Sequence, residues 1–214
     1  GHAVMEFPYA VEMIEKGEFD TIYHEHVFYF TLTSLEPLVA RHGLRITRVE
    51  RTPMHGGSLR IFVRHDSHTA DETVALFREE ESRLGVGSPI FYGNFASRAE
   101  GIRDQIHAQL GDLKVKGQRV AAYGAAAKGS TLLNFCGLTA ADLEFVAERS
   151  QHKQGKLMPG AHIPIIPNEE LANRAPEVTL LLAWNFADEI LVQQSAYREA
   201  GGQFLIPIPE VRLV

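Results

Sequence analysis

The stretch Thr21–Phe30, TIYHEHVFYF, sets Tyr23, His24, Glu25 and His26 in successive positions inside an otherwise apolar and aromatic run. Burying an unpartnered polar group costs ~1–3 kcal/mol, and a charge costs more, so the cluster reads either as a satisfied hydrogen-bonded network or as a site. Metal binding needs a third ligand beside His24 and His26, and the spacing supplies none: His42 and His55 are near only in sequence. The chain is therefore read without a metal. Acid–base chemistry is the remaining use. Imidazole takes and gives a proton near neutral pH, and an adjacent carboxylate fixes its tautomer and raises its basicity.

A second cluster lies in YGAAAKGSTLLNF, where Gly124, Ala126 and Gly129 fall at the spacing G-x-A-x-x-G between a strand and a helix. Backbone N–H groups at a helix N-terminus favour phosphate or carboxylate, and Lys128 adds charge there. Glu148 ends the next strand, about where a dinucleotide fold places the acid that holds a ribose. Taken alone, this loop says NAD. Ala126 departs from that pattern by putting a methyl group where the backbone must approach a pyrophosphate, and small residues also serve close packing of helix on strand. A phosphate-bearing ligand, a dinucleotide and plain packing all remain open on this pattern. Asn185, after the strand VTLLLAW, belongs to the same edge, as a site residue or as a helix cap.

The elements that must hold these clusters fall into three regions. Residues 3–66 alternate strand and helix: AVMEF, the amphipathic TSLEPLVARHG, then LRITRVE and SLRIFVRH joined by RTPMHGG. Residues 69–113 read as bridging helices, opening at Thr69 with Glu72 as a capping box and restarting at Ser88-Pro89. From Gln118 on, RVAAYG, LEFVAERS, VTLLLAW and QFLIPI are short, nearly continuous apolar runs, as in parallel strands buried on both faces. The fold class is α/β, with a doubly wound, Rossmann-like parallel sheet in the second half. The boundaries are expected at 1–68, 69–116 and 117–214. Ligands of open α/β sheets sit outside the carboxyl ends of the strands, so Tyr23–His26 and the turn His55, Gly56, Gly57 and Ser58 are expected at one edge.

A net charge of -6 with no long basic run argues against nucleic acid or an anionic membrane as partner, and no apolar run nears the ~20 residues of a membrane span. The lone Cys136 excludes an intrachain disulfide framework and fits a cytoplasmic setting. Gly1-His2 ahead of a strand-like AVMEF, without an initiator Met, reads as a tag remnant on a truncated chain. An exposed strand edge at residues 3–7 is then expected to be covered by a helix, a rearrangement or a partner such as a second copy.

FDTIYHEH, the run from YFTLTSLEP to GGSLRIFV, VAAYGAAAKGSTLLNF, ERSQHKQGKLMPGAHIPI and LLLAWNFADEI occur in one order that resembles the C-terminal part of S-adenosylmethionine-dependent sugar C-methyltransferases. The resemblance covers nearly the whole chain. It implies that residues 3–66 are the last strands of a methyltransferase sheet and that the Rossmann-like domain is not the methyl-donor site. S-adenosylmethionine, and a zinc ion in an N-terminal segment, would be held mainly by regions preceding these residues, leaving this chain inactive by itself. The implied substrate is a nucleotide-linked keto-deoxysugar. The family's Glu-His pair matches Glu25 and His26, with His26 as base, and Tyr23, His24 and His55 become donors to an enolate oxygen. The resemblance turns the His55, Gly56, Gly57 and Ser58 turn and the loop of Gly124, Lys128 and Gly129 toward the substrate, with Asn185 a further binding candidate from its place at the same strand edge. An NAD-dependent oxidoreductase and a noncatalytic sugar-nucleotide-binding module are the alternatives.

Overall fold

The computed structural model describes residues 1–214, the side chain of His55 excepted. The chain divides into two compact units, one of Gly1–Glu18 with His26–Arg98, the other of Phe19–Glu25 with Ala99–Val214. The first unit takes most of the first half. The second takes the rest and, in addition, a short insert from the first half.

The first unit is built on strand β1 (Ala3–Pro8), helix α1 (Ala10–Lys16), helix α2 (Leu32–Ala40), strands β2 (Leu44–Thr52) and β3 (Ser58–His65), and helices α3 (Glu72–Leu84) and α4 (Pro89–Tyr92). The sheet order is β1-β3-β2, with both neighbours antiparallel to the central strand. Alternation in SLRIFVRH puts Leu59, Ile61 and Val63 into one core with Tyr9, Leu32, Leu35, Ile46 and Val49. The helix α3 starts later than the Thr69 capping box anticipates. Asp71 is the N-cap, accepting from the Thr73 N–H at 3.0 Å, and its own N–H is fixed to the Thr47 carbonyl at 2.9 Å, which holds Thr69 and Ala70 outside the helix. Ser88 and Pro89 begin α4 as read from the sequence.

A buried carboxylate organises this core. Glu81 is fully buried and accepts from the Tyr9 hydroxyl at 2.8 Å, the Leu32 N–H at 2.7 Å, the Thr33 N–H at 2.7 Å and the Thr33 hydroxyl at 2.5 Å. Two of these donors are the first N–H groups of α2, where a negative charge also meets the positive end of the helix.

The second unit holds most of helix α5 (Phe95–Val115), then β4 (Val120–Tyr123), α6 (Ala127–Cys136), β5 (Val146–Glu148), β6 (Ile165–Pro167), α7 (Glu170–Arg174), β7 (Val178–Leu181), α8 (Ala187–Gln193), α9 (Ser195–Glu199), β8 (Gln203–Ile206) and β9 (Arg212–Leu213). The buried face of α5, Ala99, Ile102, Ile106, Leu110 and Leu113, belongs wholly to this unit. The six-stranded sheet has the order β6-β5-β4-β7-β8-β9 and is parallel except for β9. All residues of β4 and β7 are buried, which is why their sequences show no alternation. This is a Rossmann-like α/β sheet whose direction of growth reverses between β4 and β7. Among the described residues, no helix is long and apolar enough to cross a membrane.

Candidate functional site

In the first unit, β1 and β2 both run against β3, so they end at the same edge: Pro8 and Thr52 both face Ser58. The turn Met54–Gly56 with Gly57 closes that edge, and the Gly57 carbonyl accepts from the Tyr9 N–H at 3.0 Å. Its glycines are required by what lies beneath them. Gly56 has φ +99°, and a Cβ there would stand 2.5 Å from Glu18 Oε1; a Cβ at Gly57 would stand 2.8 Å from Glu12 Cγ. The Lys16 ammonium donates to the Gly56 carbonyl at 2.5 Å and pairs with Glu12 at 2.7 Å, fixing the turn from below. Ser58 is buried and its hydroxyl donates to the Met54 carbonyl at 2.9 Å. The side chain of His55 lies outside the described residues. His26 is half-buried, its ring 6.5 Å from that of Tyr29.

The division between the units falls inside the quoted cluster: Tyr23, His24 and Glu25 belong with the second unit and His26 with the first. The cluster is not the interior network that its apolar neighbours imply. His24 and Glu25 are exposed and Tyr23 is half-buried, while Val27 and Phe28 are 70% and 72% exposed. The backbone bends at Tyr23 and turns through His24 and Glu25, so the alternation of an extended segment does not set the directions of His24 and His26. Among the described residues, no group of three or more His, Cys, Asp or Glu side chains is placed to hold a metal ion.

In the second unit, the glycine loop is tightly packed. A Cβ at Gly124, which has φ +91°, would stand 2.8 Å from Ala183 Cβ, and one at Gly129 would stand 2.9 Å from Leu182 Cβ. The glycines thus let α6 and its loop press on the end of β7. The Ala125 N–H donates to Glu148 Oε2 at 2.7 Å, and the other oxygen of Glu148 accepts from the Ser150 N–H at 2.8 Å. Both oxygens of Glu148 are thus already engaged by main-chain N–H groups of the loop and of the segment after β5. Lys128 is buried and turned inward, its ammonium 4.0 Å from the centroid of the Trp184 ring, and so does not present its charge to an anion at the solvent end of α6. Asn185 is half-buried in the turn Trp184–Phe186, and no side chain caps α8.

A pocket of about 290 Å³ opens where the sheet reverses, at the carboxyl ends of β4, β5 and β7, with Tyr123, Gly124, Glu148, Arg149, Lys153 and Phe186 in its wall. The Lys153 ammonium donates to the Ala125 carbonyl at 2.8 Å and the Arg149 guanidinium to Gln193 Oε1 at 3.2 Å. Cys136 has no part in this chemistry, because burial pushes its thiol up to about 12.

The sequence profile of the C-methyltransferase C-terminal domain family matches residues 53–209. The chain belongs to this family. It is also similar to the C-methyltransferase NovU of Streptomyces niveus, at 41% identity over 212 residues, which is 98% of this chain and 50% of that protein. The chain thus spans about half the length of this curated relative. The profile begins near the glycine turn and runs through the bridging helices and β4 to β8, whereas Tyr23–His26 precede it. Sequence reasoning on this family member passed over Asp20. It is fully buried beside the exposed cluster and accepts from the Trp184 indole N–H at 2.6 Å. An acid directly after Phe19 and two residues before Ile22 was the available signal.

Proposed function

We propose that this chain is the part of an S-adenosylmethionine-dependent C-methyltransferase that removes a proton from a nucleotide-linked keto-deoxysugar. The observation that carries this reading is the Tyr23–His26 cluster, accessible and bent, in a member of a C-methyltransferase family. The methyl donor supplies an electrophilic sulfonium-bound methyl group. To use it, a sugar carbon must become nucleophilic, and a carbon beside a ketone does so on losing its proton. His26 takes the C3 proton, and the electron pair left behind is shared with the C4 ketone oxygen as an enolate. The carbon then forms a bond to the methyl group as the methyl–sulfur bond breaks, and the proton passes from His26 to solvent.

Glu25 orients the base or accepts from a sugar hydroxyl. Tyr23, His24 and His55 are the candidate donors to the enolate oxygen, where a positioned hydrogen bond in a dry site contributes several kcal/mol. In the Rossmann-like unit, the pocket at the switch point has the cationic side chains Arg149 and Lys153 in its wall, which suit an anionic ligand. The edge strand β1, exposed along Ala3–Glu6, is open to pairing with further strands of a methyltransferase sheet.

The test incubates an enzyme carrying this chain together with a methyl-donor region with S-adenosylmethionine and a panel of keto-sugar nucleotides. Methyl transfer to carbon, and exchange of the C3 proton with deuterated solvent when the donor is withheld, are expected for at least one 4-keto substrate. Binding without exchange or transfer across the panel would instead mark a noncatalytic sugar-nucleotide module.

A further inference from the structure

The 3-10 turn Phe19–Thr21 belongs to the Rossmann-like unit although the chain on both sides of Phe19–Glu25 belongs to the other. Its anchorage is specific. Phe19 packs its ring 4.6 Å from that of Phe135 on α6. Asp20, on the same turn, is fully buried, and its Oδ2 accepts from Trp184 Nε1 at 2.6 Å, just past the end of β7. The Lys128 ammonium lies over the Trp184 ring, 4.0 Å from the indole centroid, and its charge acts on the Asp20 carboxyl. Backbone bonds carry the position of the turn forward: Ile22 N–H to the Phe19 carbonyl at 3.0 Å, and Tyr23 N–H to the Thr21 carbonyl at 3.1 Å.

A buried acid is an expensive way to tie down a loop. An apolar side chain of similar volume would hold it at least as well, since the desolvation of a charge often exceeds what its partners return. What the polar contact adds is direction. The indole N–H has one donor vector, and it fixes the carboxylate three residues before Tyr23 in both distance and orientation.

We propose that Asp20, Trp184 and Lys128 are positioning residues through which the Rossmann-like unit sets the backbone of Tyr23, His24 and Glu25. This rests on the functional reading above for its catalytic consequence but not for its structural one. The domain that does not hold the methyl donor would then set the geometry of the acid–base loop. Its glycine loop, packed on β7 and carrying Lys128 inward, would belong to this support and not to a cofactor site.

The chain contains a single tryptophan, so the indole of Trp184 gives one N–H resonance to follow. In the chain itself, Asp20→Leu should move that resonance and speed amide exchange at Ile22, Tyr23 and His24 by about tenfold or more, with β4 and β7 still protected. Asp20→Asn, whose side-chain carbonyl still accepts the indole N–H, should largely restore the loop. Trp184→Phe keeps a ring for Lys128 but removes the donor, and decides the matter if Asp20→Leu does not fold. In the enzyme with its methyl-donor region, Trp184→Phe should lower kcat by about 10- to 100-fold, as a small misplacement of reacting groups does, with KM for the methyl donor unchanged and Asp20→Asn close to the parent. Unchanged loop exchange in Trp184→Phe, or unchanged kcat in an enzyme whose parent is active, would overturn the proposal. Absence of methyl transfer in the parent would instead remove the functional reading, and the exchange measurement would still decide the positioning role.

Discussion

The Ala125 N–H donates to Glu148 Oε2 at 2.7 Å, so the amide of the glycine loop and the acid at the end of the second strand are bound to each other. In a dinucleotide site these two groups would face different parts of a ligand. Here they are bound to each other, so each already has a partner within the chain. Nicotinamide dinucleotides, oxidised or reduced, are expected to leave the fluorescence of Trp184 unchanged up to about millimolar concentration, the weak end of specific binding. Saturable quenching would restore the oxidoreductase reading. Replacing Glu148 with Ala should destabilise the second unit by about 1.5–3 kcal/mol, the range for a hydrogen bond to a charged group, as read from chemical unfolding.

The same pair shows what a sequence can and cannot convey. Apolar runs such as VAAY and VTLL marked the central strands, because a strand buried on both faces has no polar alternation. Ile165–Pro167 and Arg212–Leu213 carry no such mark: they are short edge pieces, and a proline ends the first. G-x-A-x-x-G was visible, but its meaning depends on Ala183, Leu182 and Glu148, which the fold brings against it from distant segments. Likewise, Lys128 beside a glycine suggests an anion, and only the position of Trp184 shows which way the ammonium turns. The exposed Val27 and Phe28 misled in the other direction, since apolar residues flanking Tyr23–His26 imply a burial that the structure does not have.

Glu81 is expected to be the most sensitive polar position of the first unit. Four donors converge on its carboxylate, two of them main-chain N–H groups that α2 cannot satisfy internally. Burial, followed by the charge of Glu81, holds the Tyr9 phenol above its usual range, so Tyr9 remains a donor at all ordinary pH values. Glu81→Ala should cost about 3–5 kcal/mol, as when one member of a buried charged network is removed. Glu81→Gln, with one acceptor oxygen left, should fall between this and the parent. A loss below about 1 kcal/mol in urea unfolding would show that the donors find other partners.

Asp20 predicts a pH dependence of stability with a definite sign. Burial, the largest influence, raises its carboxyl above the usual range, and the charge of Lys128, the indole N–H of Trp184 and a backbone hydrogen bond only partly oppose it. The folded state therefore holds this proton more tightly than the unfolded state, whose carboxyl titrates near ~3.9. The stability conferred by the protonated form is complete below that pH and is lost as pH rises through the folded value. Asp20→Asn cannot titrate. The stability of Asp20→Asn relative to the parent should rise as pH increases from about 4, then level off. A difference that stays constant between acid and neutral pH would mean that the carboxyl titrates alike in both states.

His26 carries the chemical prediction. It is half-buried and sits where the chain passes from one unit into the other, directly after Glu25. A base in this position must be reachable by substrate, and the exposure of His24, Glu25, Val27 and Phe28 leaves the segment open. His26→Asn preserves a planar polar side chain but cannot accept and release the proton near neutral pH. In the enzyme with its methyl-donor region, it should keep substrate affinity and unfolding midpoint near the parent's while lowering turnover by about 10²–10⁴-fold, the usual contribution of a positioned acid–base group. Exchange of the C3 proton with deuterated solvent should fall in parallel, because it reports proton abstraction without methyl transfer. If exchange persists at the parent rate while methyl transfer is lost, His26 acts after deprotonation, and His24 becomes the base to replace next. If both persist, the Tyr23–His26 cluster does not carry the reaction.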